Sequence, residues 1–514
     1  MIGMTLGEVA EIVHGRLSGA DPRSQVSATV EFDSREARPG GLFLALPGGH
    51  VDGHSFVGDA IASGAVAAIV TQPVDAPSIV VADGRAALAA LATAVARRLP
   101  DTLVIGITGS SGKTSTKDVL AQVLQRLGPT VAPPESFNNE LGHPYTVLRA
   151  TTDTRFLVLE VSARGIGHIR ELTRIAPPRI GVVLNVGSAH LGEFGSRKAI
   201  ADAKGELIEA LPADGIAVLN ADDPLVSGMR TRTPARVVSF GTSGDVRASG
   251  VTLDGLGRAR FTLHAGGSAP VQLQVSGEHQ VANALAAATA ALACGMPLPD
   301  VAAALSAATP RSKWRMEITE RPDGVLVIND AYNANPESMR AALRALAGIG
   351  RGRAGHTWAV LGGMAELGAA STAEHEALGR AATELGISRL VSVGESARGI
   401  DHGSRWVPDA DAAIALLCKE IQPGDVVLVK ASRAIGLERV ALELTQGARN
   451  SGGLTQAGDT QDRETGPPER NPRAMSARAT SPAAATRPVP KARSETAGPP
   501  ERSEWWGRGF AQAG

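Results

Sequence analysis

The stretch from Leu103 to Val119 places the strongest constraint on the fold of this 514-residue chain. It opens with an apolar run typical of a buried strand and continues into a Gly- and Ser-rich turn that ends in Gly112, Lys113 and Thr114. A helical pattern then begins at Ser115. A strand, a glycine-rich turn and a helix in this order present backbone N–H groups, a helix N-terminus and a Lys ammonium to phosphates. The Thr hydroxyl is then placed for Mg²⁺.

The turn departs from the common phosphate-binding pattern, because Ile107 stands where the first Gly is expected and Gly106 lies one place too early. A plain strand-to-helix turn with an incidental Lys is the alternative. We predict that this turn is a P-loop for ATP. Its nucleotide-binding residues are Thr108, Gly109, Ser110, Ser111, Gly112, Lys113, Thr114 and Ser115.

Composition limits the class of protein. A formal net charge of −1 argues against a nucleic-acid-binding surface. Cys294 and Cys418 lie far apart in apolar sequence, which predicts core thiols in a reducing compartment. No apolar stretch is long enough to span a bilayer, and residues 1–13 do not resemble a secretory signal. These features predict a cytoplasmic protein without stable membrane insertion.

Strand and helix patterns divide the chain into segments, and its length alone predicts several domains. We predict domains at residues 1–100, 101–310 and 311–447, followed by a disordered tail at 448–514 that lacks apolar periodicity. The predicted fold class is α/β. A central parallel sheet carries the P-loop, an α/β domain precedes it, and a Rossmann-like domain follows it.

Polar residues follow two apolar strands of the central segment. Glu160 ends the run Phe156–Leu159, and His190 follows the run Ile180–Leu184. Ligands bind at the carboxyl ends of the strands in open parallel sheets, so both residues are predicted to lie on the rim of the P-loop. The alternative for each residue is a solvated or capping polar side chain at a strand end.

These residue types suit two kinds of cation site. The Thr114 hydroxyl and the Glu160 carboxylate are hard oxygen ligands for Mg²⁺, whereas His190 would suit a second ion with mixed ligands. Lys204 lies on a helical stretch soon afterwards and would ordinarily be a surface Lys.

Other candidates depend on loop position. Arg35, beside Ser34, can fork onto a phosphate or carboxylate, although a turn with a solvated Arg is the common alternative. Asn283 starts a helix and would ordinarily be a cap. Tyr332 lies in a polar loop after a strand, which is either a ligand wall or a plain connection.

Several longer motifs carry a resemblance to a known family. They are 107–114, Leu159-Glu160, Asn185-Val186-Gly187-Ser188-Ala189-His190, Ala203-Lys204 and His279-Gln280-Val281-Ala282-Asn283. On these motifs the chain resembles the Mur ligases of peptidoglycan synthesis, up to about Gly447. Within the family, the motifs 136–142, 330–336 and 429–433 are most similar to those of members that add D-alanyl-D-alanine to a UDP-N-acetylmuramoyl tripeptide.

The resemblance implies an ATP-dependent ligation. The tripeptide carboxylate attacks the γ-phosphate of ATP, and the dipeptide amine then attacks the acyl phosphate. Lys113 would stabilise the γ-phosphate, and Thr114 with Glu160 would hold one of two Mg²⁺ ions. Glu160 and His190 would hold the second. Lys204 would be carbamylated, which turns an ammonium into an oxygen ligand.

Further roles follow only from the resemblance. Asn283 would contact adenine, Arg315 the phosphates and Asp330 the ribose. The N-terminal domain would bind the UDP-linked substrate through Ser34 and Arg35. The peptide and dipeptide would contact Asn138, Asn139, Tyr332, Asn333 and Asn335.

Three alternatives stay open from the sequence. They are a sister ligase that adds a single amino acid, a folylpolyglutamate synthetase-like ligase, and a nucleotide-binding module without ligation. The sequence leaves open whether the third residue of the tripeptide is diaminopimelate or lysine, and what the tail does. We expect a monomer with small-molecule substrates and no nucleic-acid partner.

Overall fold

The computed structural model describes residues 1–48, 51–189 and 191–450. His190 and most of the predicted disordered tail, from residue 451 onward, therefore lie outside the described residues. The last described helix continues to Asn450, past the predicted start of the tail.

The N-terminal part contains a small sheet of order β2-β7-β6-β5-β4, in which β2 is antiparallel to β7 and the other pairs are parallel. β1 and β3 form a separate antiparallel pair. The strands are β1 Met4–Thr5, β2 Arg16–Ser18, β3 Gln25–Val26, β4 Val30–Glu31, β5 Leu42–Leu44, β6 Ala67–Val70 and β7 Ser78–Val80. The helices are α1 Leu6–Ile12, α2 Val57–Ala62 and α3 Gly84–Arg97.

The alternation of residues over Val26–Phe32 predicts one continuous strand, but the structure divides this stretch into β3 and β4. The backbone N–H groups of Ser27 and Ala28 both donate to the carbonyl of Gly40, so the chain leaves the ladder between the two strands.

The central part is built on a parallel sheet of order β13-β12-β11-β8-β10-β9, with the P-loop strand β8 between β11 and β10. The strands are β8 Leu103–Thr108, β9 Thr130–Val131, β10 Phe156–Glu160, β11 Ile180–Val183, β12 Ile216–Asn220 and β13 Arg236–Phe240. An antiparallel sheet follows, formed by β14 Arg247–Leu253, β15 Arg258–His264 and β16 Ser268–Ser276.

Helices cover both faces of the central sheet, which explains why its strands are apolar along their whole length. α4, α10 and α11 pack on one face, and α6 and α8 pack on the other. The helices are α4 Lys113–Leu124, α5 Gly142–Val147, α6 His168–Ile175, α7 Leu191–Phe194, α8 Arg197–Glu209, α9 Pro224–Ser227, α10 Gln280–Ala293 and α11 Leu298–Ala307.

The C-terminal part has a second sheet, of order β17-β18-β22-β19-β20-β21, in which only β17 is antiparallel to its neighbour. Its strands are β17 Glu317–Glu320, β18 Leu326–Asn329, β19 Thr357–Gly362, β20 Arg389–Val393, β21 Arg405–Val407 and β22 Val426–Lys430. Its helices are α12 Pro336–Gly350, α13 Ser371–Glu384, α14 Ala410–Glu420 and α15 Glu438–Asn450. Separate apolar cores lie on its two faces. The predicted α/β class with a second, Rossmann-like sheet is confirmed.

The two cysteines differ. Cys294 is buried at the end of α10, as predicted, but Cys418 is exposed, so its prediction as a core thiol is wrong. Leu416 and Leu417 take the buried positions of α14, and the next residue turns to the outer face of the helix. Within the described ranges, no helix combines the length and the apolar character needed to cross a membrane.

Candidate active site

A cleft of about 800 Å³ opens where the carboxyl ends of β8 and β10 face the C-terminal sheet. Most of the predicted site residues line it. They are Ser110, Ser111, Gly112, Lys113, Thr114, Ser115, Asn138, Asn139, Glu160, Asn283, Arg315, Asp330, Tyr332, Asn333 and Asn335. Thr108, Gly109, Lys204, Ser34 and Arg35 do not line it. Residues from two sheets therefore meet at one rim.

The P-loop owes its shape to close contacts that only glycine permits. Gly112 has a φ of +82°, and a Cβ at this position would lie 2.4 Å from Asn283 Oδ1. The neighbouring Ser111 N–H donates to Asn185 Oδ1 at 2.9 Å, and Lys113 Nζ donates to the Gly109 carbonyl at 2.7 Å. Asn283 is thus a P-loop contact from α10 and not a helix cap. Gly109 does not line the cleft, but its carbonyl accepts the hydrogen bond from Lys113.

Glu160 is the centre of a hydrogen-bonded group of oxygen-rich side chains. It is 1% exposed, and its Oε2 accepts from the Thr114 hydroxyl at 3.0 Å. Its Oε1 accepts from the Asn138 side-chain amide at 2.7 Å, and Asn138 Oδ1 accepts from Ser162 Oγ at 2.8 Å. Asn138 thus orients the carboxylate of Glu160, and its expected contact with the peptide stays a prediction.

Thr114 and Glu160 fit the chemistry of Mg²⁺, because both present hard oxygens close together. Among the described residues, no group of three or more His, Cys, Asp or Glu side chains is arranged to hold a metal. An ion bound here would complete its shell with phosphate oxygens and water, as Mg²⁺ usually does.

Two lysines lie close to this group, the partly buried Lys113 in the cleft lining and the buried Lys204 outside it. Burial lowers the pKa of Lys113, and nearby Arg315 lowers it further, whereas Glu160 acts in the opposite direction. Lys204 is 4% exposed, and burial together with the charge of Lys113 holds its pKa well below the usual value. The alternative of a surface Lys204 is therefore wrong. His190 lies outside the described residues.

The C-terminal wall is held by an ion pair and a stacked arginine. Lys430 Nζ donates to Asp330 Oδ2 at 2.7 Å and to the Asn333 carbonyl at 2.8 Å. The Arg315 guanidinium lies 4.2 Å from the centre of the Tyr332 ring, and the Tyr332 hydroxyl contacts Ser136 of the central part. Lys430 was missed as a site residue, although it lies in one of the quoted motifs.

Two predicted substrate contacts already have structural partners. Asn139 Oδ1 accepts from the Gly142 N–H at 2.9 Å at the start of α5, and Asn335 Oδ1 accepts from the Ser338 N–H at 2.9 Å as the cap of α12. Asn335 Nδ2 also reaches the Ser110 carbonyl at 3.5 Å, which joins the C-terminal part to the P-loop.

Ser34 and Arg35 form a short 3₁₀ turn in the N-terminal part, away from the cleft lining. Arg35 pairs with Asp33 at 2.6 Å, and its hydrogen bonds lower the pKa of Asp33 to about 2. The preceding Phe32 stacks 6.0 Å from Phe137, whose neighbour Asn138 holds Glu160. The predicted contact of Ser34 and Arg35 with UDP stays a prediction.

One wall of the cleft was not foreseen from the sequence. Arg164 from the loop after β10 and His168 and Glu171 from the first turn of α6 line it beside Ser162. Their proximity to Glu160 along the chain was the available signal, because parallel strands end at the ligand side of the sheet.

Comparisons with known proteins agree with this geometry. Family models described as Mur ligase family, catalytic domain; Mur ligase middle domain; and Mur ligase, glutamate ligase domain match residues 28–102, 107–291 and 314–433, respectively. The chain belongs to the Mur ligase family.

Within this family, named relatives point to one activity. The UDP-N-acetylmuramoyl-tripeptide--D-alanyl-D-alanine ligase of Mycobacterium tuberculosis is 53% identical over 496 residues, covering 86% of this chain and 97% of the relative. The enzyme of the same name from Escherichia coli is 36% identical over 460 residues, covering 87% of this chain and 99% of the relative. The solved structure of MurF from Acinetobacter baumannii is 35% identical with a TM-score of 0.78, covering 86% and 99%. The solved structure of the Thermotoga maritima MurF ligase in complex with ADP is 30% identical in sequence with a TM-score of 0.71, covering 83% of this chain and 99% of that one.

Proposed function

We propose that this protein is an ATP-dependent ligase that joins D-alanyl-D-alanine to UDP-N-acetylmuramoyl-tripeptide and releases ADP and phosphate. One observation carries the proposal: the P-loop, the Thr114–Glu160 pair and the Arg315–Asp330 wall converge on a single cleft. The 53% identity to a relative of that name supports this choice of substrates over those of a sister ligase.

The first step makes the tripeptide carboxylate reactive. The backbone N–H groups of the P-loop and the Lys113 ammonium bind the ATP phosphates and neutralise their charge. A carboxylate oxygen attacks the γ-phosphorus, the bond from that phosphorus to the bridging oxygen breaks, and ADP leaves with the electron pair. Thr114 and Glu160 would hold Mg²⁺, which supplies further neutralisation of the approaching anions.

In the second step, the free amine of D-alanyl-D-alanine attacks the acyl carbon. A tetrahedral species forms, the amine gives up a proton, and the carbon–oxygen bond to phosphate breaks to release inorganic phosphate. The cleft would hold both reactants in one place, which lowers the entropic cost of bringing them together. Arg315 and Asp330 come from a different sheet than the P-loop but line the same cleft, so the site depends on the relative position of the two parts.

Lys204 is proposed to carry a carbamate. Its buried position favours an uncharged amine, which is the form that attacks carbon dioxide. The product is an oxygen ligand of the kind that Mg²⁺ prefers, and a second Mg²⁺ with Glu160 and His190 is proposed beside it.

Domain bounds, oligomeric state and cellular location complete the proposal. We propose domains at residues 1–100, 101–310 and 311–447, and the presence of separate sheets in these ranges supports that division. A cytoplasmic location is proposed, since the reaction consumes ATP and a UDP-linked precursor. A monomeric state is proposed as well.

The test is phosphate release by the purified protein with ATP and Mg²⁺. Release that requires both the UDP-linked tripeptide and D-alanyl-D-alanine, with formation of the pentapeptide product, is the expected result. Turnover with a single amino acid in place of the dipeptide would favour a sister ligase. Hydrolysis that is independent of both substrates would favour a nucleotide-binding module.

A further inference from the structure

A buried ion pair on helix α4 lies outside the site described above and has no part in the proposed reaction. Lys117 is 2% exposed, and its Nζ lies 2.5 Å from Asp118 Oδ1. Both residues line a separate cavity of about 460 Å³, and neither lines the cleft that contains Glu160. Because a buried ion pair contributes little more stability than apolar side chains of the same size, its presence here calls for another reason.

Each member of the pair also holds the backbone of a different segment. Lys117 Nζ donates to the Pro133 carbonyl at 2.9 Å, and Asp118 Oδ2 accepts from the Ser312 N–H at 3.1 Å. Pro133 lies between β9 and α5, whereas Ser312 lies between α11 and β17, in the linker to the C-terminal part. Residues of both segments line the same cavity as the pair. The pair therefore joins two segments that are distant in sequence to one turn of α4.

Beyond Ser312, the linker leads to Arg315, which is a proposed phosphate contact. The Ser312 N–H is fixed by Asp118, and the Met316 N–H donates to Asp330 Oδ1 at 3.1 Å. Arg315 lies between these two fixed points and lines the cleft. The residues on either side of it have φ values of +56° and +53°, a conformation that non-glycine residues adopt only where surrounding contacts hold it. The position of Arg315 thus depends on both anchors.

The segment after Pro133 leads to the hydrogen-bonded group around Glu160. Glu135 has a φ of +50°, so this segment also follows a strained course. Asn138 comes shortly afterwards and donates to Glu160 Oε1 at 2.7 Å. The contact of Lys117 with the Pro133 carbonyl is the anchor that precedes the strained turn. The position of Asn138 therefore depends on this anchor.

The linker is held to α4 at other points as well. Gln122 Nε2 donates to the Thr309 carbonyl at 2.9 Å, and Gln122 Oε1 accepts from the Thr309 N–H at 3.1 Å. The Arg311 guanidinium donates to Gln125 Oε1 at 3.2 Å. These contacts keep the linker on the helix when the ion pair is replaced. Loss of the pair should therefore shift Arg315 locally and not release the C-terminal part.

We propose that Lys117 and Asp118 are positioning residues for the ligation. Asp118 holds the linker so that Arg315 reaches the ATP phosphates, and Lys117 holds the segment that brings Asn138 to Glu160. This inference rests on the proposed function. Since α4 begins in the P-loop, one helix sets the positions of the phosphate-binding turn, the arginine and the carboxylate relative to one another.

The experiment compares two double variants, because removal of one partner alone would leave an unpaired buried charge and destabilise the protein. In the first, Lys117→Met with Asp118→Leu, apolar side chains of similar size replace the pair. In the second, Lys117→Met with Asp118→Asn, an amide oxygen remains to accept from the Ser312 N–H. Urea unfolding of both variants identifies any general loss of stability.

Two measurements separate the two roles. The Kd for ATP, measured by calorimetry without Mg²⁺, reports on Arg315. It rises by about two- to tenfold in the Leu-containing variant, the range for one lost hydrogen bond, and stays near the wild-type value in the Asn-containing variant. The Mg²⁺ concentration needed for half-maximal phosphate release, with all substrates present, reports on Glu160. It rises in both variants, because both lack the contact with the Pro133 carbonyl.

Background variants show whether each effect passes through the proposed partner. In Arg315→Ala, the difference in ATP Kd between the two double variants disappears, and in Asn138→Ala neither double variant raises the Mg²⁺ requirement further. A general loss of packing would instead add to both backgrounds. Gln125→Ala is the matched control, because it removes another linker contact from the same helix and leaves both measurements at their wild-type values.

Several results overturn the inference. It is wrong if the Leu-containing variant keeps the wild-type ATP Kd and Mg²⁺ requirement, or if the Asn-containing variant loses as much ATP affinity as the Leu-containing one. Changes that persist undiminished in the Arg315→Ala and Asn138→Ala backgrounds also contradict it. A wild-type protein that makes no pentapeptide product refutes the proposed function itself. Normal product formation by the wild-type protein, with unchanged values in the variants, refutes only the inference.

Discussion

Asn138 is expected to act through Glu160, and its replacement tests this directly. Its amide donates to Glu160 Oε1 at 2.7 Å inside a buried group. A hydrogen bond to a charged partner is worth about 1.5–3 kcal/mol, so Asn138→Ala is expected to lower kcat/KM for ATP by about 10- to 150-fold. Because Glu160 loses its orientation, the concentration of Mg²⁺ needed for half-maximal phosphate release rises, while the KM for the tripeptide stays near its wild-type value.

Ser162 provides the matched control. Its hydroxyl donates to Asn138 Oδ1 at 2.8 Å, and a hydrogen bond between uncharged groups is worth about 0.5–1.5 kcal/mol. Ser162→Ala should therefore cost only about two- to tenfold, and that cost should shrink in the Asn138→Ala background, where only the 3.2 Å contact of Ser162 Oγ with the backbone carbonyl of residue 138 remains. The reasoning is refuted if Asn138→Ala raises the tripeptide KM alone and leaves the Mg²⁺ dependence unchanged.

Three further predictions concern the buried parts of the site. Gly112→Ala places a methyl group against Asn283 at a positive φ; we expect about 1–3 kcal/mol of lost stability, measured by urea unfolding, and a raised KM for ATP, and wild-type values for both would contradict the contact. Lys204→Ala should abolish turnover without rescue by added bicarbonate, and near-normal phosphate release would refute the carbamate. Burial lowers the pKa of His143 from 6.5 to about 4, so on acidification the unfolded chain binds a proton at this residue before the folded protein does. The free energy of unfolding is therefore unaffected by His143 above about pH 6.5 and falls as the pH drops toward 4. The total loss is about 3 kcal/mol. NMR titration of the His143 ring checks that pKa, and a value near 6.5 would contradict it.

The strand pattern was sufficient to predict where the chemistry lies. The apolar runs before the P-loop and before Glu160 are neighbouring parallel strands, so their carboxyl ends meet, as expected from sheet geometry. What the pattern left open was the partner of each polar side chain. Asn138 reaches a strand end 22 residues away, a distance along the chain at which no local rule applies.

Local interactions explain the observed positions of two residues singled out from the sequence. Arg35 folds back onto Asp33, because an Asp two positions earlier can accept both from its backbone and from its guanidinium. Cys418 lies in apolar sequence but on the outer face of an amphipathic helix, where one position of helical rotation separates it from the buried Leu417. Apolar neighbours alone do not determine which face a residue takes.

Helix α8 has a consequence for how the two halves of the reaction communicate. Its Lys204 lies behind the phosphate-binding turn, and Glu206, a little further along, holds the backbone that presents Arg164. A rotation or slide of this one helix would displace Lys204 and the backbone of the loop before α6 together, so the two are mechanically coupled within the central part of the molecule.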